Sequence, residues 1–354
     1  MLKALFPTLA RVRFVVQLLM LLLLVYGSAI VGHYAAEKIS GELPALSCAY
    51  DQQNAGYCIL IPTQHQIHHR IGQGIVMAQK VTFGVFVPLI MTVLTFFAFF
   101  FVLGKMFCGW VCPLGTLQEW IGKIGRRFGI GLRRFEKGDL GDVKRVRPVK
   151  WVLLLGLVFL LPLLAGLGVA PHSLGNPYCD ICPSRIATTL LTGNTEQLAV
   201  STDDNISFTL NAIADLLIGF TLVGALAVRQ PFCRICPLLS FNALFQRLSP
   251  MRLVKTKHAA CDKCSICTES CPMDIKEISE QSGRKAYHED CTLCGRCAEY
   301  CPQDGVITLK WGPFKLFSSS REYYKNKVKR ELPDGTVKPV KIVKNAATPN
   351  PADA

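Results

Sequence analysis

Read as a succession of apolar and polar positions, the chain contains four long apolar runs separated by polar segments. They cover about residues 14–34, 81–103, 151–170 and 210–228. Each is close to the roughly 20 residues that an α-helix needs to cross a hydrocarbon core of about 30 Å. The pattern predicts a mainly α membrane protein with four transmembrane helices. The first run has a basic start (Lys3, Arg11, Arg13) and small residues at Gly27, Ser28 and Ala29, features shared with cleavable signal peptides. It continues past those small residues and is too long for a signal h-region, so it is read as a membrane helix.

The polar segments differ in charge. Residues 105–150 hold eleven Lys or Arg, whereas residues 171–209 hold only Arg185. Basic loops stay in the cytoplasm. The expected location is therefore a bacterial inner membrane, crossed several times, with both termini cytoplasmic and the loops around residues 35–80 and 171–209 outside. Half of the 354 residues are hydrophobic, and much of the net charge of +14 reflects this topology, so it does not argue for nucleic-acid binding. Within the basic segment, residues 114–128 show helical spacing of Leu117, Trp120, Ile121, Ile124 and Phe128. That spacing predicts an amphipathic helix on the inner surface with its basic face among lipid headgroups. Residues 313–354 become basic and then rich in Pro and Ala, and read as an extended or disordered tail.

Sixteen cysteines change the picture. Cys261, Cys264, Cys267 and Cys271-Pro272 form C-x-x-C-x-x-C-x-x-x-C-P, and Cys291, Cys294, Cys297 and Cys301-Pro302 repeat it. Doubled in this way, the spacing holds two [4Fe-4S] clusters, because three close thiolates grip one cubane and the fourth crosses to the other. Cluster one takes Cys261, Cys264, Cys267 and Cys301; cluster two takes Cys291, Cys294, Cys297 and Cys271. A zinc site would use four such ligands once, and disulfides need an oxidising compartment. Residues 251–312 are thus expected to form a small cytoplasmic α+β domain of the bacterial two-cluster ferredoxin kind, following a membrane domain over residues 1–250.

The other eight cysteines follow the helices. Cys48 and Cys58 lie in the first outer loop and Cys179 and Cys182 in the second; Cys108 and Cys112 follow the second helix on the inside, and Cys233 and Cys236 follow the fourth. The order helix, outer pair, helix, inner pair ending in Pro occurs twice. Two helix-pair repeats packed about an axis along the membrane normal would assemble one inner and one outer four-thiolate site, for up to four clusters in all. The inner pairs sit where thiols stay reduced, and ligation is their natural role. For the outer pairs, a cluster, a Cys48–Cys58 disulfide or a redox C-x-x-C at Cys179 and Cys182 all stay open.

Cys-Gly-Trp-Val-Cys-Pro-Leu-Gly at 108–115, the second inner pair before Pro237 and the C-terminal two-cluster segment together resemble the NapH-type polyferredoxins, with related membrane cores in NosR and CcoG-type proteins. The resemblance covers about residues 10–310. It implies electron transfer between the quinol pool and periplasmic reductase systems. The implied partners are other subunits of a membrane redox complex, a periplasmic cytochrome or other redox protein, and either the quinone pool or a cytoplasmic donor. Bond-breaking chemistry, if any, would be quinol oxidation; no catalytic residue is assigned. The chain departs from the usual pattern in its second inner motif, C-x-x-C-P rather than C-x-x-x-C-P, and in its outer cysteines. The alternative function is a CcoG-like copper-handling or oxidase assembly factor, against which stand only seven Met and no Met-rich run. No Cys-x-x-Cys-His occurs, so covalent c-type haem is not expected.

Several other residues have alternative readings. His65, His68 and His69 are metal ligands, quinol-proton carriers or a solvated loop cluster; His33 and His172 are haem ligands or interfacial residues. Asp215 is a functional intramembrane carboxylate or one that reaches for interfacial water. Gln118 and Glu119 touch a cluster or quinone, or are simply exposed. Lys105, Arg229 and Arg234 either stabilise the anionic inner site or anchor the inner face.

Overall fold

The structure, a computed structural model, describes residues 9–31, 60–78, 83–130, 143–193, 195, 198, 205–256, 261, 264–283 and 289–325. Cys48, Cys58, His33 and residues 326–354 lie outside them.

The four apolar runs are helical, with shifted ends. They are α1 (Leu9–Val31), α3 (Phe83–Leu103), α5 (Val143–Gly166) and α7 (Asn205–Ala227). Three of these, over Leu9–Tyr26, Val143–Gly166 and Asn205–Ala227, are long and apolar enough to cross a membrane. The fourth, α3, has 21 residues and no charged side chain. Large apolar side chains point outward on all four, among them Leu19, Met91, Val152 and Leu216. An exposed apolar belt of this extent marks a lipid-facing surface. The chain is a membrane protein. The third helix begins earlier than the expected residue 151, because Arg147 and Lys150 at its start find acidic partners on the C-terminal domain and need no water.

The segment expected as the first outer loop contains a further helix, α2, which runs as Leu60–His65, a π-helical turn Gln66–Gly72, and Gln73–Ala78. Its buried face includes Leu60, Gln64, Ile67, His68 and Ile71. It packs closely on α5: a Cβ on Gly72 would come within 2.5 Å of the Gly166 Cα, so both positions need the smallest residue.

Helix α4 (Pro113–Arg127) forms where the spacing predicts a helix and leaves Lys123, Arg126 and Arg127 exposed, but it buries a small and polar face. Its buried residues are Leu114, Gly115, Thr116, Gln118, Glu119, Gly122 and Gly125, while Ile124 and Phe128 are exposed. The small and polar face packs against α7, where a Cβ on Gly122 would sit 3.2 Å from the Ala225 carbonyl oxygen. Of the predicted apolar stripe, Leu117 packs against the core and Trp120 lies 5.5 Å from the Phe14 ring, while Ile124 and Phe128 face outward.

Strand β1 (Met251–Lys255) pairs antiparallel with β2 (Ile307–Trp311), Leu253 opposite Leu309, and β2 pairs with β3 (Phe314–Ser318). The folded domain thus extends past residue 312. Tyr324 is buried and the Tyr323 hydroxyl donates to Glu299 Oε1 at 2.7 Å, so the first part of the expected tail belongs to the domain.

The ends of four helices meet this domain. Arg13 of α1 donates to the Cys294 carbonyl at 2.8 Å. Trp311 donates to the Val102 carbonyl of α3 at 3.0 Å. Lys150 of α5 donates to Asp290 at 2.5 Å, and Arg229 and Arg234, beyond α7, both pair with Asp274. The start of α1, the end of α3, the start of α5 and the end of α7 therefore share one side.

Candidate metal centres

In the C-terminal domain the two cysteine runs build matched halves. The short helices Ile266–Glu269 and Arg296–Glu299 each start after a residue with left-handed backbone, Ser265 at φ 60° and Gly295 at φ 76°. That conformation turns the chain back so that successive thiols converge. Each run sends its last cysteine toward the other. Cys271, Cys291, Cys294 and Cys297 line one small cavity, closed otherwise by apolar neighbours such as Leu253, Met273 and Ile278. Cys301 couples electrostatically to Cys264 and Cys267 of the other run. Burial pushes Cys291 and Cys301 up to about 11, so without metal these thiols hold their protons, and cluster ligation releases them. An apolar pocket edged by four convergent thiols fits a cubane.

The inner quartet also converges. Cys233 couples to Cys112, Cys236 and Cys108. Cys112 is the N-cap of α4 and Cys236 that of α8 (Pro237–Phe245), both with extended backbone and Pro at the first helical position. Pro there loses no hydrogen bond, and the free N–H groups of the next residues are left to face an anion. Those of Leu114 and Gly115 favour a thiolate on Cys112. Cys108 lies in a π-helical turn, Phe107–Val111, a form that recurs at functional positions. Side-chain amides complete the site: Gln118 Nε2 donates to Cys233 Sγ at 3.5 Å and Asn242 Nδ2 to Cys108 Sγ at 3.3 Å. Each half thereby supports a sulfur of the other. Gln118 and Asn242 are buried, which settles Gln118 as a partner of the cysteines and not an exposed residue. Sequence periodicity hides it; its place six residues after Cys112, matched by Asn242 after Cys236, is the signal that could have found it.

Glu119 is buried too. It accepts from Arg296 at 2.6 Å, Gln17 at 3.1 Å and Arg13 at 3.4 Å. Burial alone would raise its carboxyl, but Arg296, Arg13 and Lys123 hold it well below the usual carboxylate range. Lys105 is buried between Cys108 and Cys291, donates to Gln246 at 2.7 Å and to the Glu289 carbonyl at 2.5 Å, and is lowered by burial to about 8. It is a positive charge between two thiol sites. Arg229 and Arg234 instead clamp Asp274 and tie the domain to α7.

Of the outer cysteines, only Cys179 and Cys182 are described. Cys182 is the N-cap of α6 (Pro183–Leu191), with Pro183 following it. The local geometry copies the inner site. Gln64 accepts from the Tyr178 backbone N–H at 3.3 Å and donates to Cys179 Sγ at 2.8 Å; Gln118 accepts from the Phe232 backbone N–H at 3.1 Å and donates to Cys233. Gln64 follows Cys58 by the same interval as Gln118 follows Cys112. The two sites are close. Tyr178 Oη lies 3.9 Å from Cys236 Sγ and 4.0 Å from Cys182 Sγ, so these sulfurs are less than about 8 Å apart. This corrects the expectation of one site near each membrane face, because sulfurs this close cannot lie on opposite sides of a core of about 30 Å.

The remaining contact links the inner quartet to the C-terminal domain. A Cβ on Gly109 would sit 2.5 Å from the Thr292 carbonyl oxygen and 3.2 Å from the Cys294 Cα, and Trp110 donates to the Leu293 carbonyl at 3.1 Å. The backbone between Cys108 and Cys112 thus rests on the backbone beside Cys294.

Comparison with known proteins agrees with this geometry. A 4Fe-4S binding domain family matches residues 84–131 and 214–256, and a 4Fe-4S dicluster domain family matches residues 260–307. The chain therefore carries 4Fe-4S binding segments of the ferredoxin type. The ferredoxin-type chain is 29% identical over 185 residues to uncharacterized protein MJ0750 of Methanocaldococcus jannaschii, covering 52% of this chain and 65% of that one. It is 27% identical over 176 residues to the putative electron transport protein YccM of Escherichia coli (49% and 43% of the two chains), and 27% identical over 169 residues to the regulatory protein NosR of Stutzerimonas stutzeri (47% and 20%). The matched segments span less than two thirds of each of these relatives. No solved structure matches. The resemblance to NapH- and NosR-type polyferredoxins agrees with these matches.

Proposed function

We propose that the chain is a membrane electron-transfer subunit carrying electrons through [4Fe-4S] clusters between a cytoplasmic or quinol donor and a periplasmic redox partner. All four long helices cross the membrane, α3 included, with the C-terminal domain on the cytoplasmic face. The path begins at the two domain clusters, on Cys261, Cys264, Cys267 and Cys301 and on Cys291, Cys294, Cys297 and Cys271. It passes Gly109 to the inner quartet, Cys108, Cys112, Cys233 and Cys236, and then Tyr178 to a fourth site on Cys179 and Cys182 with Cys48 and Cys58. The observation that carries the reading is the Tyr178 phenol touching a sulfur of each of the last two sites. A hydrocarbon core of about 30 Å is too wide for one step, and two sites sunk into the bundle divide it.

Duplicated hydrogen bonding supports a repeated architecture. The Gln64–Tyr178–Cys179 and Gln118–Phe232–Cys233 sets use the same atoms at the same sequence separations of 114 and 115 residues, and one domain family matches the chain twice. In the proposed protein, hydrogen bonds and helix N-termini aimed at sulfur set the potentials.

The test is iron and acid-labile sulfide per chain on anaerobically purified protein, with disulfide mapping. Four cubanes give about sixteen irons, falling by about four in a Cys179→Ser/Cys182→Ser variant. About eight irons with a Cys48–Cys58 bridge would confine the clusters to the C-terminal domain and sink the transmembrane path.

A further inference from the structure

Away from the cysteines, the structure gathers histidines that the sequence scatters. His68 and His69 lie on the π-helical turn of α2, and His172 on a short turn, His172–Leu174, that follows α5. Their candidate ligand atoms all fall within 4.8 Å of one another. Ring centroids are 4.2 Å apart for His68 and His69 and 4.6 Å for His68 and His172. The three face a cleft of about 430 Å³, lined also by Ile61, Ser173 and Asn176. His68 is only 1% exposed, yet among the described residues neither of its ring nitrogens has a hydrogen-bond partner. A buried imidazole left in this state loses its hydration without compensation. It is not a solvated loop histidine.

We propose that His68, His69 and His172 form a three-imidazole binding site for a divalent transition-metal ion of the zinc or copper class. Coordination satisfies the orphaned His68 nitrogen, and three histidines with one open position are a recurrent donor set for such ions. His69 carries the outer support that ligating histidines need: its Nδ1 lies 3.2 Å from Gln73 Oε1, so Nδ1–H donates and Nε2 is free for the ion. The site is held firmly. Gly175 packs against the other edge of His68, where a Cβ would stand 2.5 Å from Nδ1, and Gly72 and Gly166 press α2 onto α5. Asp180 also lines the cleft but is engaged with Arg185 at 3.2 Å, so the ligand set is the three histidines.

The test uses the full-length, cluster-loaded protein in detergent, titrated with Zn²⁺ alone. Bound zinc is read by equilibrium dialysis and elemental analysis, and its shell by X-ray absorption. The expected result is one zinc per chain in a shell of nitrogen and oxygen with imidazole scattering and no sulfur. His172→Ala, at an exposed turn, should weaken binding more than a hundredfold with iron content unchanged. Gln73→Leu should weaken it by about 10- to 100-fold. His65→Ala, which lines the cleft outside the triad, should leave the affinity within a few-fold of the parent. Zinc bound through sulfur, binding well below one per chain, or His172→Ala binding like the parent overturns the proposal. Iron content is measured separately, so failure of the electron-path reading and failure of this site are distinguishable.

Discussion

Replacing Glu119 by Gln tests the charged joint between the membrane helices and the ferredoxin-type domain. The carboxylate sits among Arg296, Arg13 and Lys123, with its side chain 5% exposed and that of Arg13 4% exposed. The substituted amide would keep the shape and a polar contact to Gln17 but leave Arg13 and Arg296 buried without their shared counter-charge. Breaking one side of a buried ion pair costs about 3–5 kcal/mol. Because Arg13 retains Glu299 at 3.8 Å, the lower end applies, or roughly a hundredfold in the ratio of docked to opened domain. Hydrogen exchange at pH 7 should show faster opening of the amides around Arg13–Gln17 and Cys294–Glu299, with little change at the far end of α7. The effect has a pH signature. The folded-state pKa of Glu119 lies below its ordinary value near 4.5, so its stabilisation is fully present above that pH and is lost as pH falls through and below it. The difference in thermal midpoint between parent and variant should therefore narrow in acid. A change in opening free energy below about 1 kcal/mol at pH 7, or a midpoint difference that does not narrow, would refute the assignment of Glu119 as the joint's central charge.

Other perturbations address single contacts. Asp274→Ala leaves Arg229 and Arg234 without their shared carboxylate and should destabilise domain docking by about 3 kcal/mol, read as faster exchange at β1 and the Ile266–Glu269 helix. Gly109→Ala drives a methyl into the Thr292 carbonyl and should cost about 1–3 kcal/mol; slowed reduction of the membrane clusters by the domain clusters, with iron content intact, is the expected readout. Gln118→Leu removes a donor to Cys233 Sγ. It should lower the inner cluster's midpoint potential and weaken cluster retention by about 10- to 100-fold, whereas an unchanged potential in redox titration would show that this amide does not act on the cluster.

The apolar runs and the cysteine spacing were legible in one dimension because each is a local property. Twenty apolar residues make a membrane helix whatever follows, and C-x-x-C-x-x-C brings its thiols together through its own short turns, with left-handed backbone at Ser265 and Gly295. Helix ends were less legible: α5 starts at Val143 because Arg147 and Lys150 meet Glu289 and Asp290, more than a hundred residues away. The buried face of helix α4 was hidden for a similar reason. Its Gly and polar face fits the backbone of α7, a surface that periodicity alone cannot supply. Only the tertiary structure decided that Tyr178 stands between Cys182 and Cys236, that Gln118 supports a sulfur from the other half of the chain, and that His172 joins His68. Such contacts depend on how helices pack, and packing is set by pairs of surfaces, whereas a sequence displays each surface separately.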